Sequence, residues 1–398
     1  MLDNSLTRLA EKAEAESQEE FRRLEGHRRV VFTRVLEAFH QAGIDEAHLK
    51  GSSGYGIGDF GRQALENVFA LAVEAEDALV RVQFVSATHV MACALRALLS
   101  PGRRVVCWYG EPYESLRPTF SWLAKKGVEV LIGEGRLGSM PPADLYFLQR
   151  SRGYRIRPGP TEEELRRDLG ILREGMPEAC LLVDNCYGEF VRPHEPTAYG
   201  ADLLCGSLIK NPGGGLAITG GYLAGNAETV ARVAEELYAP GLGKELGATE
   251  GFLRPFFQGL FLAPLLVCEA LKGSVFASRF FAGLGFQVSP EAGEERNDSI
   301  QTILLETPQR VLAFARGIQR AGPVDSRATP VPCRMPGYED SIVMAAGTFI
   351  SGATSELSCD APMVPPYAVY LQGGLGFDHV YLGALEAAQS MQEQGLLP

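Results

Sequence analysis

Positive charge is scarce in this sequence of 398 residues, and no stretch of it forms a basic cluster. Its 37 lysines and arginines face 49 acidic residues, which gives a formal net charge of -12 at pH 7. A polyanion such as nucleic acid, or the surface of an anionic membrane, repels a chain with this balance. We therefore expect neither nucleic acid nor a membrane to be a partner.

Cysteines and histidines with the spacing of a metal site are also missing. The eight cysteines include no CxxC pair and the six histidines show no paired ligand spacing, so neither a disulfide framework nor a metal site is indicated. The first residues are acidic and polar, unlike a signal peptide, and no apolar run approaches the roughly 20 residues of a membrane span. Thiols placed in apolar segments favour a reducing, cytoplasmic location.

What the sequence does contain is an alternation of short apolar runs with helical patterns. A hydrophobic content of 46% and a charged content of 22% indicate a folded protein of two or three domains. The alternation predicts a mostly parallel, seven-stranded sheet with helices on both faces, and the short connection from Lys210 to Gly221 makes the last strand antiparallel. The strand candidates are 79–85, 104–108, 128–132, 144–148, 180–183, 202–205 and 221–224.

Composition further divides the chain into three parts. Residues 1–60 are predicted to be a helical arm, interrupted at Gly26, followed by a glycine-rich loop. Residues 61–247 form the large sheet domain. Residues 248–398 form a smaller α+β domain with strands at 299–305 and 341–346, and this domain ends in a helix over 379–394.

Three polar residues follow two of the apolar runs and define the candidate site. Asp184 ends one run, Ser207 ends the next, and Lys210 comes three residues later. Strand ends of an open α/β sheet line the crevice where ligands bind, so these side chains are expected to converge. An amine, a carboxylate and a hydroxyl suit pyridoxal phosphate, which needs a lysine for its aldehyde, a partner for its ring nitrogen and donors for its phosphate.

Two further segments are binding candidates. The sequence from Ser86 starts a helix directly after a strand, and the free amides of Ala87 and Thr88 at its positive end could hold a phosphate. The loop from Gly51 to Arg62 carries five glycines with a tyrosine and an arginine, which is typical of a binding loop or of a linker. Each of the candidate site residues also has a purely structural interpretation. An aspartate at a strand end, such as Asp184, is often a turn former.

Several motifs in order resemble the aluminium resistance protein family. That family is the methionine gamma-lyase-like branch of the Cys/Met-metabolism pyridoxal phosphate enzymes, of fold type I. The motifs are GSSGYG from Gly51, SATHVMA from Ser86, GEPYESL from Gly110, QRSRGY from Gln149, VDNCYGEF from Val183, GSLIKNPGGGLA from Gly206, MPGYEDSIVMAAGTFISGA from Met335 and YLQGGL from Tyr370.

The resemblance implies a role for each site residue. Lys210 forms the Schiff base and Asp184 pairs with the pyridinium nitrogen. The phosphate ligands are Ser207 and the amides of Ala87 and Thr88. Tyr113 stacks on the ring, and Gln149 and Ser151 lie near the phenolic oxygen. Tyr55 and Arg62 reach the cofactor phosphate of a partner subunit, which implies a homodimer or homotetramer with shared active sites.

The implied reaction is a carbon-sulfur lyase reaction on a small amino acid. Elimination at the β or γ carbon of a sulfur-containing substrate gives a thiol, ammonia and a 2-oxo acid. Lys210 is the general base, and Tyr55 assists the leaving group. Burial beside cationic groups is expected to lower the pKa of Lys210, so that its amine is uncharged. The alternatives are transamination, racemisation, or a pyridoxal phosphate-binding protein with little turnover linked to metal resistance.

This sequence departs from the family pattern at three places. Ile209 replaces a threonine that would add a phosphate hydroxyl, and Ala87 replaces a glycine. Met363 and Val364 stand where an arginine is expected before a Pro-Tyr pair. The candidates for binding the substrate carboxylate are therefore Arg150, Arg152 and Arg334.

Overall fold

A computed structural model describes residues 3–55, 58–136, 141–156 and 158–398. The chain divides into two compact units. One unit comprises Met1–Arg29, Arg152–Gly159 and Pro264–Pro398, and the other comprises Val30–Ser151 and Pro160–Ala263. The boundaries of these units differ from the domain boundaries predicted after residues 60 and 247. The three-part division therefore stays a prediction from the sequence.

Two helices form the N-terminal arm, and they separate at a serine. Helix α1 covers Asn4–Glu16 and helix α2 covers Gln18–Gln41. Ser17 lies between them, and its hydroxyl donates to the carbonyl of Ala13 at 2.7 Å, a local bond that competes with helix continuation. The predicted interruption at Gly26 is wrong, because the roughly 1 kcal/mol that a glycine costs inside a helix does not end it there.

The large unit is built on a seven-stranded sheet, as predicted. Its order is β1-β7-β6-β5-β4-β2-β3, and β7 runs antiparallel to both β1 and β6, which confirms the expected reversal of the last strand. β1 starts and ends earlier than the sequence indicated, because the chain turns at Arg81, whose carbonyl accepts from the amide of Phe84. The strands are β1 Asp77–Arg81, β2 Arg104–Cys107, β3 Glu129–Ile132, β4 Leu145–Gln149, β5 Cys180–Asp184, β6 Leu203–Ser207 and β7 Gly221–Gly225.

Helices flank this sheet and begin at recognisable caps. The Thr161 side chain and Glu164 form a capping box at one start, and Ser86 caps another by accepting from the amide of His89. Apolar side chains from the sheet, including Leu182 and Leu203, form a buried cluster with Val90. The helices are α3 Phe60–Ala72, α4 Ala87–Leu98, α5 Arg117–Lys125, α6 Glu162–Gly175 and α7 Ala227–Leu237.

Helix α8, Leu253–Gly283, is 31 residues long and largely apolar. By length and composition it could cross a membrane, so the expectation that no apolar run approaches that length is wrong. However, 67% of its most apolar window is buried inside the fold, as in the core helix of a globular protein.

The smaller unit contains a six-stranded antiparallel sheet in the order β10-β11-β12-β13-β9-β8. The sequence indicated only two of these strands, those predicted at 299–305 and 341–346. The elements are β8 Gln287–Ser289, β9 Gln301–Leu304, α9 Pro308–Ala321, β10 Cys333–Arg334, β11 Ser341–Ala345, β12 Ser358–Pro362, β13 Ala368–Gln372 and α10 Phe377–Gln392.

Candidate active site

The carboxyl ends of three parallel strands bring the predicted polar residues together. Gln149 ends β4 and stands in register with Asp184 at the end of β5, while Asp184 is in register with Cys205 of β6. Ser207 ends β6, two residues further along. The edge of the sheet thus carries an amide, a carboxylate and a hydroxyl side by side, where open α/β sheets bind their ligands.

Asp184 is a buried carboxylate with little positive charge around it. Its side chain is 2% exposed, and its Oδ1 accepts from the amide of Cys186 at 3.1 Å. Burial raises the pKa of Asp184 to about 6, and the contacts with Cys186 and the charge of Lys210 offset this only in part. A carboxylate in this position is suited to a cationic partner such as a protonated ring nitrogen.

Lys210 is half-buried and lies over an aromatic ring. Its Nζ is 3.7 Å from the centroid of the Tyr187 ring. Burial by itself lowers the pKa of Lys210, but Tyr187, Cys186 and Glu189 together raise it above the usual lysine value. The expectation that cationic neighbours lower this pKa is wrong, because the groups around the amine are a phenol, a thiol and a carboxyl group.

The start of α4 provides the donors that a phosphate needs. Ser86 caps the helix by accepting from the amide of His89 at 3.1 Å, and the amides of Ala87 and Thr88 meet no acceptor in the described part of the chain. Unsatisfied amides at the positive end of a helix bind anions. The hydroxyl of Ser207 contacts the carbonyl of Gly220 only at 3.5 Å, so it can turn to another acceptor.

The residues expected around the cofactor ring also lie in this unit. Tyr113 packs against the same apolar cluster as Ala87 and Tyr187. Gln149 donates from Nε2 to the carbonyl of Ser151 at 3.1 Å, whereas its Oε1 is buried without a hydrogen-bond partner. An orphaned buried oxygen indicates a missing donor. Together with the lysine, the carboxylate and the free amides, this donor set fits pyridoxal phosphate.

The two predicted loop residues have different environments within the chain. The Tyr55 side chain is 91% exposed, and residues 56 and 57 of its loop lie outside the described residues. Arg62 is 1% exposed, and its two terminal nitrogens donate to the carbonyls of Gly247 at 3.0 Å and Glu245 at 2.9 Å. Its guanidinium group is thus used to hold a neighbouring segment of its own chain.

The three arginines considered for the substrate carboxylate differ in environment. Arg150 is buried, with Nη1 2.9 Å from Oε2 of Glu195. Arg152 is buried in the smaller unit and lies 3.4 Å from Asp298. Arg334, in β10, is exposed. Arg150 and Arg152 therefore already have carboxylate partners within their own units.

The sequence analysis did not predict the residues that lie around the Lys210 amine. Tyr187, Cys186 and Glu189 all belong to the VDNCYGEF segment, of which only the aspartate was assigned a role. Tyr187 has a φ of 67°, a left-handed conformation that is uncommon outside glycine and that turns its ring toward the lysine. An aromatic residue three positions after the aspartate was the available signal.

Comparison with known proteins decides the family. Residues 6–130 and 140–392 match the family model described as methionine gamma-lyase. The chain belongs to the methionine gamma-lyase family. The uncharacterized protein YnbB of Bacillus subtilis (strain 168) is 39% identical over 383 residues, which is 92% of this chain and 91% of that protein.

Solved structures agree with this family assignment. A carbon-sulfur lyase involved in aluminum resistance from Clostridium novyi NT is 38% identical, with a TM-score of 0.91 over 98% of this chain and 96% of that one. The pyridoxal-5'-phosphate dependent protein YhfS from Escherichia coli is 15% identical, with a TM-score of 0.63 over 93% and 97% of the two chains, and shows the fold alone.

The family, the fold and the cofactor predicted from the sequence are therefore confirmed. The fold is that of pyridoxal phosphate-dependent enzymes of fold type I, and the cofactor of this family member is pyridoxal 5'-phosphate. At family level the protein is a pyridoxal phosphate-dependent carbon-sulfur lyase, and a small amino acid is its class of substrate.

The buried carboxyl group of Asp184 makes stability depend on pH. Its pKa is about 6 in the folded chain against the ordinary 3.8, so the folded state binds more protons between these values and the free energy of unfolding falls as the pH rises. An amide at this position does not titrate. We therefore compare the free energy of unfolding of cofactor-free Asp184→Asn with that of cofactor-free wild type. We expect the difference, variant minus wild type, to rise by roughly 2–3 kcal/mol from pH 3.8 to pH 6.5.

Urea unfolding of both cofactor-free proteins at several pH values measures this difference directly. The comparison removes the contribution of the other acidic residues, because both proteins contain them. A stability difference that stays constant across the range would show that Asp184 titrates normally.

Proposed function

We propose that this protein is a lyase that releases a thiol from a sulfur-containing amino acid by β- or γ-elimination, with ammonia and a 2-oxo acid as the other products. The observation that carries the proposal is the pair formed by Lys210 and Asp184 at neighbouring strand ends. An amine that can bond to the cofactor aldehyde and a buried carboxylate that can pair with its ring nitrogen are the two groups this chemistry requires.

We assign the cofactor contacts as follows. Lys210 is the lysine that bonds to the cofactor aldehyde, and Asp184 pairs with the ring nitrogen. The amides of Ala87 and Thr88, with the hydroxyl of Ser207, hold the phosphate at the positive end of α4. Tyr113 covers the ring, while Gln149 and Ser151 lie beside the phenolic oxygen. When bound, the cofactor supplies an electron sink for the negative charge that develops on the substrate Cα.

In the proposed reaction, Lys210 transfers the proton of the substrate Cα. Its Nζ removes the Cα proton as a general base, a role that contributes roughly 10²- to 10⁴-fold in enzymes. Only the uncharged amine can do so, yet Tyr187, Cys186 and Glu189 favour the ammonium form. The residues that control the charge of Lys210 therefore control the pH range in which the chain is active.

Tyr55 is assigned to the site of a partner subunit. Its 91% exposure within a single chain leaves the ring available to a second copy, where it would assist the leaving group. The loop is fastened at its start, since the amide of Ser52 donates to Oγ1 of Thr249 at 3.0 Å. This assignment requires a homodimer or a homotetramer, which light scattering of the purified protein distinguishes.

We place the enzyme in the cytoplasm, since all eight cysteines are free thiols.

Product analysis tests the proposed reaction. We expect incubation with L-cystathionine, L-cysteine or L-methionine to release a thiol and a 2-oxo acid in equal amounts from at least one of them. Pyruvate indicates elimination at the β carbon and 2-oxobutyrate from methionine indicates elimination at the γ carbon. The Lys210→Ala protein serves as the control for thiol release that does not depend on the active site.

Other outcomes would favour the other functions. Transfer of the amino group without thiol release would indicate a transaminase, and loss of optical activity alone would indicate a racemase. A protein that binds the cofactor tightly and converts none of these amino acids would favour a binding role linked to metal resistance.

A further inference from the structure

Residues 244–250 of the large unit form neither helix nor strand, yet surrounding side chains bind their backbone. Each of the five consecutive carbonyl groups from Lys244 to Ala248 accepts a hydrogen bond from a side chain. In the order of the segment, the donors are Nη2 of Arg81 at 3.0 Å, Nη2 of Arg62 at 2.9 Å, Nη1 of Arg81 at 3.1 Å, Nη1 of Arg62 at 3.0 Å and Nε2 of Gln83 at 2.7 Å. Irregular segments are usually the mobile parts of a fold, so a donor at every carbonyl marks this one as fixed.

The two arginines are themselves held in place by regular elements. Arg81 ends β1, is 1% exposed, and its Nε lies 2.8 Å from Oε1 of Glu66. Arg62 lies in the first turn of α3 and is also 1% exposed. Groups carried by buried positions of a strand and a helix are placed more precisely than groups on loops. Segment 244–250 therefore takes its position from the sheet and from α3.

The glycine-rich loop binds to this same segment at very close range. The carbonyl of Ser52 accepts from the amide of Thr249 at 3.0 Å. The carbonyl of Gly54 accepts from the amide of Gly247 at 3.1 Å. A Cβ atom on Gly54 would lie 2.0 Å from the carbonyl oxygen of Gly247, and one on Gly51 would lie 2.4 Å from that of Thr249. Only glycine allows the two backbones to approach this closely.

The carboxylate of Asp59 joins the loop, segment 244–250 and the start of α3. Asp59 is 5% exposed and accepts from Oγ of Ser52 at 2.6 Å, from Oγ1 of Thr249, and from the amide of Arg62 at 2.8 Å. Burial by itself raises the pKa of Asp59, but these hydrogen bonds together hold it below its ordinary value. The group is therefore ionised at neutral pH, and hydrogen bonds to an ionised acceptor are the stronger kind.

The bound part of the loop ends at the residue before Tyr55, whose side chain is 91% exposed. We propose that Asp59 and Thr249 are positioning residues, which fix the loop so that the hydroxyl group of Tyr55 reaches the cofactor phosphate of a partner subunit. The inference rests on the proposed function, which assigns Tyr55 to that site. Fixing the backbone matters because a misplacement of about 1 Å can cost roughly 10²-fold in an active site.

The test is a double-mutant cycle on the affinity of the cofactor-free protein for pyridoxal phosphate, measured by absorbance titration. Thr249→Val keeps the shape of the side chain but removes the hydroxyl that donates to Asp59. We expect the dissociation constant to rise about tenfold in Thr249→Val and in Tyr55→Phe, the size of one hydrogen bond to a charged group. Because Thr249 acts through Tyr55, adding Thr249→Val to Tyr55→Phe should raise the constant no further.

Three more variants complete the design. Thr249→Ser keeps the hydroxyl and should restore the wild-type affinity. Ser52→Ala removes another donor to Asp59 and should weaken binding only while the Tyr55 hydroxyl is present, which keeps the test available if Thr249→Val does not fold. Thr197→Val is the matched control, since its hydroxyl donates to the carbonyl of Val73 and its loss should leave the affinity unchanged.

The outcomes separate this proposal from the proposed reaction. An equal loss of affinity with and without the Tyr55 hydroxyl would overturn the positioning role, because a purely structural contact acts in both backgrounds. Wild-type affinity in Thr249→Val and Ser52→Ala, or in Tyr55→Phe, would overturn it as well. The titration contains no amino acid, so the expected pattern supports the positioning role even if the product assay detects no thiol release, a result that counts against the lyase reaction alone.

Discussion

Lys210→Ala is expected to lose the yellow absorbance of covalently bound pyridoxal phosphate and to lower lyase turnover by roughly 10³-fold or more. The reason is that one amine performs two tasks in our assignment, the covalent attachment of the cofactor and the removal of the Cα proton. A methyl group can do neither. Absorption spectra before and after gel filtration measure the attachment, and thiol release measures turnover.

The remaining lysines provide a matched control for this variant. Lys126 is exposed, directly follows helix α5 and lies over the Trp122 ring at 5.6 Å, so Lys126→Ala should keep the yellow spectrum. Adding a small amine to Lys210→Ala should recover part of the turnover by supplying a base. An unchanged spectrum in Lys210→Ala would refute the assignment of this lysine.

Asp184→Asn is expected to lower turnover by roughly 10²- to 10³-fold, the second largest effect. Removing one partner of a buried charge pair costs about 3–5 kcal/mol, and each 1.4 kcal/mol corresponds to about tenfold. Asparagine keeps the size of the side chain but leaves the ring nitrogen without a negative partner, so the cofactor becomes a weaker electron sink. Turnover at saturating cofactor separates this loss from weaker binding.

Another buried aspartate of the same unit supplies the control. Asp168 accepts from Nε1 of Trp108 and from the hydroxyl of Tyr109, both at 3.0 Å, and has no assigned contact with the cofactor. Asp168→Asn should lower thermal stability while it leaves the absorption maximum of the bound cofactor in place. If Asp168→Asn and Asp184→Asn change the spectrum equally, Asp184 has no special place beside the ring.

The raised pKa values of three residues in the site give these predictions a common basis. Burial raises the pKa of Asp184 to about 6 and that of Glu189 to about 8, while the neighbours of Lys210 raise its pKa as well. Each carboxyl group therefore gains from a positive charge placed beside it. A cationic ring nitrogen would provide that charge for Asp184.

Much of the large sheet could be predicted because its signals are local. Continuous apolar runs mark strands that are buried on both faces, and the short glycine-rich connection after Lys210 excludes a helical crossover, which fixes the direction of β7. The strands of the smaller sheet carry weaker signals, since β12 reads SCDAP and owes its place to pairing with β11 and β13. Pairing between distant segments leaves no local pattern.

The sequence alone determined the family and the cofactor, because the motifs that carry the resemblance are continuous stretches of the chain. It also predicted Asp184 and Lys210 as the site, because they lie at or just after the ends of neighbouring strands. Only the tertiary structure revealed that the Lys210 amine lies over the Tyr187 ring, that Arg62 binds carbonyl groups of its own chain and that burial raises the pKa of Glu189. The physical reason is that charge, burial and pKa depend on neighbours distant in the chain, which only folding brings together.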